Sequence, residues 1–161
     1  MASVFEKLNL KGHQDIVVLN APASFEPELR SLVGVRVRRS MPKSDPVTFA
    51  LVFATEQVEV DGATADLARL AEGDAIVWFA YPKGSSRRYK CSFNRDTGWK
   101  TLGQAGFEPV RQVAIDEDWS ASRFRRAEFI KSMTRSPELA LSKQGKKKAT
   151  KGRSGRRRTR G

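Results

Sequence analysis

The sequence predicts a small three-layer α/β domain: a mostly parallel sheet between helices, an antiparallel last strand, and a disordered basic tail. Three observations predict it. Ala75 to Ala80 is an unbroken apolar run between the turn residues Glu72-Gly73-Asp74 and the ending Tyr81-Pro82-Lys83. A run without polar alternation suits a strand buried on both faces, as in a parallel sheet covered by helices. A second such run, Val47 to Ala54, precedes it by one helix length, which gives the strand–helix–strand unit of a parallel sheet. Finally, Lys143 to Gly161 holds ten Lys or Arg and no acid, whereas residues 1–142 hold twenty bases and all eighteen acids. The chain therefore divides into a nearly neutral domain over 1–135 and a Lys/Arg-rich tail over 136–161.

In chain order, residues 1–14 form a lead-in whose Phe5, Leu8 and Leu10 can pack on the body, with His13 in a surface turn. Asp15 to Asn20 is a short buried strand closed by Ala21-Pro22. Ser24 can cap a short helix that carries Phe25, Leu29 and Leu32 on one face and stops at Gly34. Val35 to Arg38 alternates, so it suits an edge strand with its valines inward. Val47 to Ala54 is buried strand. Thr55 can cap a helix running to Ala71, with Val58, Leu67 and Leu70 towards the sheet, and Gly73 ends it. The Ala75–Ala80 strand follows. Lys83 to Arg95 is a basic irregular segment, and Asp96 can cap a short helix bearing Trp99 and Leu102. Phe107-Glu108-Pro109 leads into a strand over Val110–Ile115. Ser122 to Ile130 is then a returning antiparallel strand, favoured over a helix because strand–turn–strand is economical.

Four stretches carry a resemblance. They are Leu19-Asn20-Ala21-Pro22, the Trp78-x-Ala80-x-Pro82-Lys83 ending, Gly106-Phe107-x-Pro109-Val110, and Asp116-Glu117-x-Trp119-Ser120-Ala121-x-Arg123-Phe124. Over roughly residues 8–130 the chain resembles an uncharacterised bacterial family of small Rossmann-like domains, similar in outline to a trimmed methyltransferase. The resemblance implies a fold and a site location, and it names no substrate. It points at Asn20, Lys83, Asp116, Glu117, Trp119 and Arg123, in keeping with the rule that ligands bind at the carboxyl ends of parallel strands.

Cofactor chemistry is weighed first because the fold invites it. Adenosylmethionine and nicotinamide sites place glycines in the first strand–helix turn and an acid at the end of the second strand. Here the turn is Asn20-Ala21-Pro22-Ala23-Ser24 and the second strand ends Arg38-Arg39-Ser40, so no cofactor is expected. A nucleophile triad would have to use the single His13, and there is no Gly-x-Ser-x-Gly elbow. One cysteine and one histidine exclude a zinc cluster and an internal disulfide. Cys91 reads as a half-buried packing residue.

Two clusters at the strand ends invite small-ligand chemistry. Lys83-Gly84-Ser85-Ser86-Arg87-Arg88 places a glycine and two hydroxyls beside three cations, which suits a phosphate or carboxylate. Asp116-Glu117-Asp118, beside Trp119, offers carboxylates that could do acid–base work, hold Mg²⁺, or simply brace the strand ends by one acid pairing with Lys83 or Arg123. The tail, with Lys146, Lys147, Lys148, Arg156, Arg157 and Arg158 at its densest points, has no large apolar residue. It is expected to bind polyanions such as DNA or RNA by counterion release, without sequence choice. No apolar run approaches the roughly 20 residues that span a bilayer, so a cytoplasmic protein without membrane contact is expected. Three functions therefore stand: a non-enzymatic domain with a nucleic-acid-binding tail, a small-anion binder or enzyme using the strand ends, and a protein–protein adaptor.

Overall fold

A computed structural model of the chain describes residues 4–93 and 98–130. The elements in order are α1 (Val4–Lys7), β1 (Asp15–Leu19), a 3₁₀ turn (Ala23–Phe25) running into α2 (Glu26–Arg30), β2 (Arg36–Arg38), β3 (Val47–Phe53), α3 (Gln57–Leu70), β4 (Ala71–Pro82), α4 (Lys100–Gln104), β5 (Phe107–Ala114), β6 (Trp119–Arg126) and a last 3₁₀ turn (Ala127–Phe129). Six strands form one sheet in the order β2-β1-β3-β4-β6-β5. The β1–β2, β1–β3 and β3–β4 pairs are parallel, and β6 lies antiparallel to both β4 and β5. This is the Rossmann-like mixed sheet that the apolar runs predict.

Side-chain alternation divides the core into two. On one face Val17, Ala50, Val52, Val77, Phe79 and Phe124 pack under α3 and α4, through Leu67, Leu70 and Leu102. On the other Ile16, Val18, Phe49, Leu51, Phe53 and Trp78 meet Phe5, Leu8, Leu10, Phe25 and Leu29 of the N-terminal segment and α2. β3 shows why its run has no polar alternation, since Phe49, Leu51 and Phe53 feed one core and Ala50 and Val52 the other. The lead-in is fixed to the body, because the indole Nε1 of fully buried Trp78 donates to the Leu8 carbonyl at 2.8 Å.

Several local expectations are corrected. Val58 does not face the sheet: it is 68% exposed, and α3 buries Val60, Ala63, Thr64, Leu67 and Leu70 instead. Nine residues separate Val58 from Leu67, about two and a half helical turns, which puts them on opposite sides. The N-cap of α3 is Glu56 rather than Thr55, and Glu59 Oε1 accepts from the backbone N–H groups of both Thr55 and Glu56, at 3.0 and 3.1 Å. Ser24 sits inside the 3₁₀ turn, whose N-cap is Pro22.

α3 passes directly into β4 at Ala71, so Gly73 lies within the strand. There the register against β3 jumps from Val47↔Ala71 to Phe49↔Ile76. Gly73, at φ 59°, supplies the left-handed residue that this irregularity needs. β5 begins at Phe107, three residues earlier than expected, and includes Pro109. It is an edge strand bonded only to β6, which tolerates a proline. The expected cap Asp96, the boundary at 135/136 and the tail lie outside the described residues.

Candidate functional site

The carboxyl ends of β1 and β3 lie side by side, while the chain leaves β1 for β2 on one flank and β3 for β4 on the other. Such a divergence opens a crevice, the usual ligand position in an open α/β sheet. Asn20, the first residue after β1, adopts the left-handed conformation at φ 60°. Its Nδ2 donates to the Phe53 carbonyl at 3.1 Å. That bond fixes the amide orientation and leaves Oδ1 as a free acceptor among the described residues. The crevice is a pocket of about 300 Å³ lined by Asn20, Phe53, Thr55, Glu59, Tyr89 and Trp119, among others.

Its walls are aromatic. Trp119, only 3% exposed, meets Phe53 edge-on with ring centroids 5.1 Å apart and lies 4.9 Å from the half-buried Tyr89. The indole Nε1 of Trp119 is buried and has no hydrogen-bond partner among the described residues. A buried N–H costs free energy unless something accepts from it. At the amino end of α3, Glu59 Oε1 takes Thr55 N–H, Thr55 Oγ1 and Glu56 N–H, so the helix supplies its own carboxylate where an anion would otherwise sit.

A second pocket, of about 460 Å³, lies beyond Tyr89 and is lined by Lys83, Ser86, Lys90, Cys91 and Phe93 besides Tyr89 itself. Lys83 follows β4, and its backbone N–H is held by the Asp118 carbonyl at 2.8 Å. Ser86 N–H closes a turn on the Lys83 carbonyl at 3.0 Å. The Ser86 hydroxyl donates to Asp118 Oδ1 at 2.9 Å and accepts from Tyr89 N–H at 3.1 Å. Lys83, Arg87, Arg88 and Lys90 form no ion pair among the described residues. The Lys83 and Lys90 side chains make this pocket positive, while the N–H groups of Lys83, Ser86 and Tyr89 and the Ser86 hydroxyl are already given to protein acceptors.

Some sequence candidates converge here and others do not. Asn20 and Trp119 line the first pocket, Lys83 and Ser86 the second, and Ser85 is exposed in the turn. Asp116 closes the β5–β6 hairpin, its Oδ1 accepting from Asp118 and Trp119 N–H at 2.8 and 2.9 Å. Glu117 is exposed at the hairpin tip. Bracing of the strand ends thus falls to Asp116 and to the Asp118–Ser86 bond, rather than to a carboxylate on Lys83 or Arg123. Arg123 is not at the strand ends: it pairs with Trp78, four residues back from the Pro82↔Trp119 pair, or about 13 Å along the strand. There burial, with neighbouring Arg125 and Arg111 adding to it, pushes the Arg123 guanidinium below its ordinary pKa.

Sequence reasoning missed Tyr89, Phe53, Thr55, Glu59 and Lys90. Tyr89 carried a signal, as an aromatic inside an otherwise basic and polar segment. Cys91 is half-buried with its Sγ donating to the Phe93 carbonyl at 3.4 Å. No group of three His, Cys, Asp or Glu residues that could hold a metal occurs among the described residues. No helix among them is long and apolar enough to cross a membrane.

No family model and no curated protein matches the sequence. Solved structures do. A SAM-dependent methyltransferase from Aquifex aeolicus superposes with a TM-score of 0.56 at 14% identity, over 76% of this chain and 87% of that one. The [4+2]-cyclase SpnF superposes at 0.51 and 12% identity, over 76% and 78%. The domain therefore has a methyltransferase-like Rossmann fold. One of these neighbours is a methyltransferase and the other a cyclase, so the likeness carries architecture and no reaction.

Proposed function

We propose that this protein is a non-enzymatic, methyltransferase-like domain that holds nucleic acid or another polyanion through its basic C-terminal tail. One observation carries the reading: ten Lys or Arg and no acid between Lys143 and Gly161, attached to a body of nearly balanced charge. Such a run gains affinity by releasing condensed counterions, and it has no aromatic with which to read bases. The body supports the non-enzymatic half. The turn where a methyltransferase needs glycines is Asn20-Ala21-Pro22, and Arg39 at the end of β2 is engaged by both carboxylate oxygens of Glu26 at 2.7 Å.

The test is fluorescence anisotropy of labelled DNA and RNA oligomers against the full chain across a salt series. With all ten charges engaged on duplex DNA the log–log salt slope approaches about −9. Replacing Lys146, Lys147, Lys148, Arg156, Arg157 and Arg158 together by Gln should make that slope shallower by about five. An unchanged slope and affinity would remove the tail from the function.

A second reading, binding of a small anionic ligand, is favoured by the cationic pocket itself. Lys83, Ser86 and Lys90 line it, and Lys83 has no carboxylate partner among the described residues. Loss of inorganic phosphate binding in Lys83→Ala would be its direct check.

A further inference from the structure

The two pockets at the strand ends share one wall, the Tyr89 side chain, and their chemistry is opposite. On one side Phe53, Tyr89 and Trp119 make an aromatic chamber whose charged lining is Glu59. A carboxylate there repels anions, and the N–H groups of Thr55 and Glu56 at the start of α3 are already taken by it. On the other side Lys83 and Lys90 attract anions, with the Ser86 hydroxyl between them and Asp118. A ligand that used both would be oriented by charge: its anionic end beside Lys83, its uncharged ring against Trp119.

We infer that the two pockets form one composite site for a small ligand that joins a flat heteroaromatic ring to a phosphate group. The inference rests on the second reading above, in which the Lys83 pocket takes the anion. The aromatic walls and one unused group define the ring end. Phe53, Tyr89 and Trp119 offer ring faces and edges to a flat partner. Asn20 Oδ1 is an acceptor left free among the described residues when Nδ2 binds the Phe53 carbonyl. A ring N–H or amino group satisfies it. An aliphatic phosphate does not, and it leaves the aromatic walls without a stacking partner. Each pocket alone, at about 300 and 460 Å³, is within the size range of small-ligand sites.

The experiment is calorimetric titration of the full chain with inorganic phosphate, adenosine, AMP and CMP, in about 0.3 M salt to screen the tail. AMP or CMP should bind at least tenfold tighter than phosphate or adenosine alone. Tyr89→Ala should weaken nucleotide binding at least tenfold and phosphate binding by much less, whereas Lys83→Ala should weaken both. Asn20→Gly, which keeps the φ of 60° and removes the acceptor, should weaken the nucleotide severalfold. Far-UV circular dichroism of each variant establishes that it is folded. If phosphate binds and is lost in Lys83→Ala, but the nucleotides bind no tighter and ignore Tyr89→Ala, the composite site is overturned and the anion pocket stands. If neither phosphate nor nucleotide binds, both fall.

Discussion

The Asn20 side chain and the Phe53 carbonyl, 33 residues apart, are joined by a 3.1 Å hydrogen bond across the carboxyl ends of β1 and β3. The bond continues the β1–β3 ladder one step past Leu19↔Val52, between the two strands whose connections diverge. A methyltransferase-like fold that admitted its cofactor here would need small residues and open backbone in this turn. This chain has a side chain that crosses the gap instead.

Asn20 does two things, and its variants separate them. It adopts φ 60°, which glycine tolerates and alanine does not, and it supplies the amide donor to Phe53. Asn20→Gly should lose the hydrogen bond alone, at about 1 kcal/mol. Asn20→Ala should lose the bond and add backbone strain, for about 2 kcal/mol in all. Urea unfolding of the full chain at fixed pH reads the difference. Equal losses would mean that the left-handed conformation carries no cost.

Acid should remove a small, definable part of the stability. Hydrogen bonding from Arg38 holds the Asp15 carboxyl below its ordinary value of 3.8, opposed by burial and helped by the charges of Arg38 and Arg36. Arg39 acts in the same way on Glu26. A carboxyl whose folded-state pKa is depressed contributes stability above its unfolded value and loses it as pH falls through the folded one. Asp15→Asn should therefore cost about 0.5 kcal/mol near neutral pH, as expected for a solvent-screened surface pair. Arg38 also reaches Asp45 at 3.2 Å, which keeps the cost small. The gap between variant and parent should close as pH falls below 3.8 and through the depressed folded-state value. A gap that persists there in urea midpoints would assign the loss to packing instead.

What the sequence could and could not convey follows from the range of each interaction. Phe49–Phe53 and the apolar half of β4 were legible because both faces of a central strand are buried, so no polar residue interrupts them. β5 was read short because Pro109 looks like a strand boundary, and nothing local says that the strand lies at the edge of the sheet. The packing of Phe5, Leu8 and Leu10 was legible in the lead-in but its anchor was not, since that is Trp78, 70 residues from Leu8. The strand-end location of a site was legible from Pro82 and Lys83. The aromatic chamber was not, because Phe53, Tyr89 and Trp119 come from three separate segments and meet only through the pairing of β6 with β4. Arg123 was misplaced for the same reason: its motif lies beside Trp119 in sequence, but a strand carries it away from the site at about 3.3 Å per residue.

The far end of α3 depends on a single guanidinium. Arg126, the last residue of β6, donates through Nη2 to the carbonyls of Leu67, Ala68 and Ala71 at 3.4, 3.3 and 2.9 Å. These belong to the carboxyl end of α3 and the residue that caps it; the Leu67 carbonyl also takes the Ala71 N–H, whereas those of Ala68 and Ala71 lie past the last helical bond. The same group stands 4.9 Å above the Phe107 ring, so it joins helix, β4 and β5 at one point. Arg126→Met keeps the aliphatic stem and removes the donors and the charge. The expected loss is about 2 kcal/mol, as for hydrogen bonds to a charged donor in a half-buried setting. Arg126→Lys should recover less than half, because an ammonium cannot spread over three carbonyls and a ring as a planar guanidinium does. Hydrogen exchange gives the local check, with amides at 67–71 exchanging faster in Arg126→Met while those of β3 keep their protection. Because Glu59 caps the opposite end of α3, the aromatic chamber should keep its shape, and unaltered β3 protection is how that would be seen. If Arg126→Met matches the parent in urea and exchange, the three carbonyls are satisfied without it.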